Sequence, residues 1–205
     1  MQIMVDGQER PQTDLKGRTI GDILLEIKRG VSTSGRIVVG IICDGEAVSP
    51  ERIQDVLKET ADRYGLIDFQ TAQPKELARN SLLACREFLN DIEHGSRDIV
   101  ADLQQSQVQT AMGRMGPMFS KLNDAYRGLQ GTMQLLNIDP ESVELSSGTA
   151  GKFMTALVDK LRNVKEALEN QDYVSLADLF QYELDPAIVE WRQLVDHLLE
   201  SLGES

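Results

Sequence analysis

Cysteine and aromatic residues are scarce in this chain of 205 residues, which has two cysteines and 5% aromatic residues. Two cysteines cannot form the disulfide framework of a small secreted domain, so we expect a reducing compartment. No apolar run approaches the ~18 residues of a membrane-spanning helix. The first residues have neither the basic nor the apolar segment of a secretory signal. The sequence therefore predicts a cytoplasmic protein without a membrane span.

Acidic residues outnumber basic residues by 33 to 21, which gives a formal net charge of −12. Such a chain offers no net basic face to the phosphates of DNA or RNA, so we exclude nucleic acid as the main partner. The acids are concentrated at one end, because residues 166–205 carry ten acids and the single base Arg192. This segment is either a solvated face that aids solubility or a docking surface for a basic or amphipathic partner.

The motifs of common enzyme classes are absent: there is no Walker phosphate loop, no G-x-S-x-G, no H-E-x-x-H and no C-x-x-C. Cys43 and Cys85 fall at apolar positions, where thiols are unreactive. A di-metal centre in a helix bundle needs Glu-x-x-His on two helices, and only His94 has an acid three residues before it. We predict no enzyme activity, no cofactor and no metal. The alternative is a ligand- or metal-binding bundle enzyme that uses His94 and His197 with nearby carboxylates.

Residues 1–72 alternate between strand and helix patterns. Asp-Gly dipeptides at positions 6 and 44 predict tight hairpin turns, and a capping box that begins at Thr19 predicts a helix start. The β-branched run 36–43 predicts a strand that is buried on both faces. The order of hairpin, helix, hairpin, helix and strand resembles the β-grasp order of ubiquitin-like domains, in which a sheet wraps one principal helix. Another kind of small α+β domain is the alternative.

From Pro74 onward, apolar residues recur with the helical period of ~3.6 residues. Four long amphipathic segments with short connections predict an antiparallel four-helix bundle over residues 73–205. Pro186 lies inside the last segment and predicts a kink or a short break. Gly128 and Gly131 in the second segment predict the close approach of a neighbouring helix. With the N-terminal β-grasp-like domain, the predicted fold class is α+β.

Residues 169–184 read ENQDYVSLADLFQYEL and are followed by Pro186 and Trp191. This segment resembles the C-terminal motif of certain uncharacterised bacterial helical proteins, whose pattern is approximately N-x-D-Y-V-x-L-A-D-x-x-x-Y-E-L-x-P and then an aromatic residue. The resemblance implies a bacterial cytoplasmic protein and assigns no activity.

The predicted function is that of a non-enzymatic adaptor or chaperone-like protein. We expect its acidic helical bundle to bind another protein through a basic or amphipathic segment of that partner, and a homodimer is also compatible with the sequence. Acids would steer the partner, and Tyr or Trp would anchor it, because each joins a large apolar area to one hydrogen-bonding group. The candidate partner-binding residues are Asp178, Tyr182, Glu183, Asp185, Glu190 and Trp191.

Overall fold

The computed structural model describes residues 1–10 and 17–203 and divides into two compact units, Met1–Leu77 and Ala78–Ser205. The first unit contains a small sheet with helices, and the second is largely helical. The predicted α+β class is therefore confirmed. None of the helices in the described part of the chain has both the length and the apolar character that crossing a membrane requires.

The first unit contains a five-stranded mixed sheet with the strand order β2-β1-β5-β3-β4. β1 is parallel to β5, and the other neighbouring strands are antiparallel. Asp6 and Asp44 adopt positive φ angles of 52° and 49° at the two hairpin turns, as the Asp-Gly dipeptides predict. The strands are Gln2–Val5 (β1), Gln8–Glu9 (β2), Ile37–Cys43 (β3), Glu46–Ala47 (β4) and Leu66–Ala72 (β5).

One principal helix, α1 (Ile20–Ser32), packs against this sheet. The predicted capping box is present, since the Thr19 hydroxyl accepts from the Asp22 N–H and the Asp22 carboxylate accepts from the Thr19 N–H. The buried residues of α1 are all apolar, and they share a core with β1, β3 and β5. A second helix, α2 (Ile53–Val56), has a single turn.

The prediction that the strand at 36–43 is buried on both faces is wrong. In β3 only Ile41 and Cys43 are buried, while Val39 is 48% exposed. The strand is therefore rich in β-branched residues because they suit a pleated backbone, and not because both of its faces are buried.

The second unit is built from long helices and a six-residue helix, and a π-helical turn at Leu179–Leu184 joins that short helix to the last long one. A short hairpin of β6 (Glu144–Leu145) and β7 (Gly148–Thr149) precedes the third long helix. The helices are α3 (Pro74–Gln104), α4 (Val108–Leu136), α5 (Ala150–Glu169), α6 (Tyr173–Asp178) and α7 (Asp185–Ser201).

Ion pairs show the relative directions of three of these helices. α4 pairs with α3 through Arg114 to Asp98 at 2.7 Å and through Lys121 to Asp91. α7 pairs with α3 at two positions in the same way, with Arg192 to Glu93 at 2.7 Å and Asp196 to Arg86 at 3.8 Å. In both cases residue numbers rise along one helix as they fall along the other. α4 and α7 are therefore each antiparallel to α3.

Pro186 lies at the start of α7, directly after the π-helical turn. In a regular α-helix its ring would collide with the carbonyl four residues earlier. Here the Asp185 N–H donates to the Phe180 carbonyl, five residues back, and the wider turn makes room for the ring. The predicted kink or break is thus a π-helical turn within a helical stretch that continues from α6 into α7.

Candidate functional site

A depression of about 310 Å³ lies between α5 on one side and the π-helical turn with the start of α7 on the other. We call it the charged cleft. Its buried lining residues, Phe153, Leu157 and Ala187, form an apolar floor. Two lysines of α5 and three of the predicted partner-binding residues also line it: Lys152, Lys160, Tyr182, Glu183 and Glu190.

The two glutamates of the charged cleft are held in different ways. The Glu183 carboxylate pairs with the Lys160 ammonium at 3.5 Å. Glu190 accepts a hydrogen bond from the Ser147 backbone N–H at 3.0 Å and another from the Ser146 hydroxyl at 3.2 Å. The turn of the β6–β7 hairpin therefore positions Glu190, while a lysine partly neutralises Glu183.

Tyr182 is the accessible aromatic side chain of the charged cleft, and 66% of its surface is exposed. Its place on the π-helical turn explains the exposure, because the neighbouring positions Phe180 and Leu184 turn into the core. A large side chain left in water beside an apolar floor is a ready contact for another molecule.

The α5 side of the charged cleft is fixed by the cap of that helix. The Thr149 hydroxyl accepts from the Lys152 backbone N–H at 3.2 Å. The same hydroxyl donates to the Glu141 carboxylate at 2.6 Å. The first turn of α5, which carries Lys152, is thus anchored to the segment before the hairpin.

Asp185 lies outside the charged cleft. Its carboxylate accepts a hydrogen bond of 2.5 Å from the Ser96 hydroxyl, and Ser96 is fully buried on α3. Burial raises the pKa of the Asp185 carboxyl, although the Ser96 bond and the charge of Arg97 act in the opposite direction. Asp185 therefore helps to join α7 to α3 and does not line the charged cleft with Glu183 and Glu190.

The remaining two predicted residues also lie outside the charged cleft. Asp178 is exposed at the end of α6. Trp191, predicted as an anchor, has no exposed surface and contacts the rings of Tyr126 and Phe153 at centroid distances of 6.3 Å. It is a core residue of the helical unit and cannot meet a partner while the helices stay packed. The structure thus brings together Tyr182, Glu183 and Glu190.

The two histidines are exposed on different helices, His94 on α3 and His197 on α7. The His94 Nδ1 atom lies 2.7 Å from the Asn90 carbonyl oxygen of its own helix. Neither histidine lines the charged cleft. Over residues 1–10 and 17–203, no three His, Cys, Asp or Glu side chains are grouped as a metal ion would require. The alternative site needs both histidines to point inward together, and they do not.

A second depression, of about 390 Å³, runs between α4 and α5. We call it the apolar groove. Its lining is hydrophobic apart from Asn123 and Lys165, and Val158 in its wall is 44% exposed. Leu157 lines both the apolar groove and the charged cleft, so the two lie on either side of α5. The other residues of the groove are Phe119, Leu122, Tyr126, Leu161, Val164 and Leu168.

The apolar groove was not predictable from the helical period, because its residues fall in the same apolar stripes as the core. A stripe of apolar residues on a helix has the same helical period whether it faces a packed neighbour or an open groove. The signal that was available is the width of the α5 stripe, in which Val158 directly follows Leu157.

Residues 80–194 match a family model described as Domain of unknown function (DUF8042). The matched range includes the charged cleft and the apolar groove and covers more than half of the chain. No curated protein matches the chain, and no solved structure matches it. The chain belongs to the DUF8042 family.

Proposed function

We propose that this chain is a non-enzymatic adaptor or chaperone-like protein whose helical unit binds a basic or amphipathic segment of another protein in the charged cleft. The observation that carries the proposal is the convergence of Tyr182, Glu183 and Glu190 over an apolar floor. Carboxylates at the rim speed encounter and select a partner of opposite charge. Affinity comes mainly from the apolar floor and the exposed tyrosine ring.

An arginine or a lysine flanked by apolar residues is the partner side chain that suits this cleft. Its charged end would pair with Glu190. Among the described residues, the Glu190 carboxylate accepts hydrogen bonds and forms no ion pair. Its stem would lie on Tyr182 and Pro186, because long basic side chains bury their methylene groups along apolar surface. Lys160 already partners Glu183, so Glu190 is the stronger determinant of the two.

The finer architecture belongs to the same proposal. We infer an antiparallel four-helix bundle for the helical unit, supported by the antiparallel ion pairs from α3 to α4 and to α7 and by the contacts of Trp191 with α4 and α5. We infer a β-grasp-like domain for residues 1–72, supported by the strand order and by the single principal helix α1. The resemblance of residues 169–184 supports a bacterial cytoplasmic setting.

The test is capture of partners from the lysate of the native host with the tagged full-length chain, followed by elution with stepped salt. We expect a specific protein that Tyr182→Ala and Glu190→Gln each retain less of, and release at lower salt, than the wild type does. Glu200→Gln is the matched control, since Glu200 is an exposed acid of the same helix outside the charged cleft. A rim charge and an exposed ring contribute about 1 kcal/mol each, or roughly fivefold in affinity. Equal capture by all four chains would contradict the proposal.

A further inference from the structure

The apolar groove is a concave site with a buried floor and walls from two helices. The floor consists of Leu122, Leu157 and Val164, which are all buried. Phe119 and Tyr126 of α4 place partly buried aromatic rings along one wall. A concave and mainly apolar surface of this kind is where proteins commonly bind small molecules. The apolar residues of the α5 wall are Val158, Leu161 and Leu168.

The size of the apolar groove fits a small molecule and not a protein. Its volume of about 390 Å³ lies in the lower part of the range of ~300–1,000 Å³ that ligand pockets have. Its lining residues expose far less surface than the ~800 Å² that each partner buries in a stable protein contact. A small ligand can therefore bury much of its own surface in the groove, whereas a protein would need additional contacts elsewhere.

The charges of the apolar groove favour an uncharged ligand. Lys165 is the one charged residue among those that line it, and its ammonium pairs with the Glu169 carboxylate at 3.6 Å. An anion would compete with Glu169 for Lys165 and would approach a chain of net charge −12. A cation would meet the Lys165 ammonium and no carboxylate of a lining residue. Either charge would therefore lose its hydration without gaining a free partner.

Asn123 gives the apolar groove one free hydrogen-bonding group. Its side chain is exposed and forms no hydrogen bond within the part of the chain that the structure describes. An amide side chain can both donate and accept, so it can pair with a hydroxyl, a carbonyl or an amine. The rings of Phe119 and Tyr126 favour an aromatic ligand, because offset and edge contacts between rings add to the burial of area.

We propose that the apolar groove binds an uncharged, largely apolar small molecule that has a ring system and a single hydrogen-bonding group. The ring system packs on the apolar floor beside Phe119 and Tyr126, and the polar group bonds to Asn123. The groove lies on the other side of α5 from the charged cleft. This ligand site is therefore independent of the proposed partner site.

The probe is N-phenyl-1-naphthylamine, an uncharged dye with two aromatic parts and one N–H group, which fluoresces in apolar surroundings. The chain has one tryptophan, Trp191, whose ring centroid lies 6.3 Å from that of Tyr126. Dye in the groove should therefore quench Trp191 emission by energy transfer. Titration of the full chain should give one dye per chain with micromolar affinity. The sulfonate of the same ring system, 8-anilino-1-naphthalenesulfonate, should bind ~10-fold more weakly or worse.

Val158→Asp places a carboxylate in the α5 wall and should weaken binding of the uncharged dye by ~10-fold or more. Val174→Asp is the matched control, because Val174 is a 77% exposed valine on α6 that lines neither depression. Leu161→Asp is a second groove variant with the same expected loss. Tyr182→Ala changes the charged cleft alone and should bind the dye as the wild type does. Circular dichroism establishes that each variant is folded.

The proposal is overturned if the uncharged dye shows no saturable binding, or if folded Val158→Asp and Leu161→Asp both bind it as tightly as the wild type. Tighter binding of the sulfonate would make Lys165 an anion site and would also overturn it. Loss of the dye from Tyr182→Ala would place the dye in the charged cleft, with the same consequence. None of these results bears on capture of a protein partner, so the two proposals fail separately.

Discussion

Gly128 and Gly131 lie three residues apart on α4, and the space around their Cα atoms differs. A Cβ atom at Gly128 would lie 2.7 Å from the Cys85 sulfur of α3, whereas one at Gly131 would meet nothing within 4 Å. Cys85 is buried, and its thiol donates to the Ala125 carbonyl of α4. The sequence-based expectation of close helix approach therefore applies to Gly128 alone.

We expect Gly128→Ala and Gly131→Ala to change stability in opposite directions. Overpacking against Cys85 should cost Gly128→Ala a net ~1 kcal/mol, after the gain in helix propensity is included. Gly131→Ala should gain ~0.5–1 kcal/mol, because it has the propensity gain without the clash. Urea denaturation of both variants gives the two free energies of unfolding. A Gly128→Ala chain as stable as Gly131→Ala would show that α3 and α4 can separate at no cost.

Asp185 gives stability a pH dependence whose sign follows from its burial. Its pKa is raised in the folded protein, so the folded state binds the proton more tightly than the unfolded state. The Asp185 contribution to the free energy of unfolding therefore rises as pH falls through the titration range of this carboxyl. The charges that face it are Arg97, which favours the ionised form, and Glu93, which opposes it.

Asp185→Asn keeps an acceptor for the Ser96 hydroxyl and removes the charge. We expect the variant to be more stable than the wild type above pH ~5, where an ordinary carboxyl is ionised. The difference should fade as pH falls and Asp185 takes up its proton. Thermal unfolding of both chains across acid and neutral pH measures it, with the exposed Asp178→Asn as control. A variant that is less stable at neutral pH would mean that the charge itself holds α7 to α3.

At the scale of elements, local patterns predicted the parts of the fold that local chemistry determines. The Asp-Gly turns and the Thr19 capping box form as expected, because each depends on residues within one turn. The partial exposure of the strand at 36–43 and the complete burial of Trp191 were not predictable in this way. Both depend on which distant element covers a face, and periodicity does not report that.

The sequence contains a sign of the π-helical turn that the usual helical period does not reveal. Leu176, Phe180, Leu184 and Ile188 are all buried and lie four residues apart. In a regular α-helix three such steps would rotate the last side chain ~120° away from the first. A π-helical turn takes up this rotation and keeps all four in the core, which leaves Tyr182 exposed at the charged cleft.

At the scale of the whole molecule, charge and apolar surface occupy different places. The stretch 173–201, which contains α6 and α7, carries six acids and one base, while the apolar groove has one charged lining residue, Lys165. Composition could predict an acidic chain, and the charge count along the sequence could locate the acids. Only the packing of α4 beside α5 shows that the apolar groove lies on the opposite side of α5 from the charged cleft.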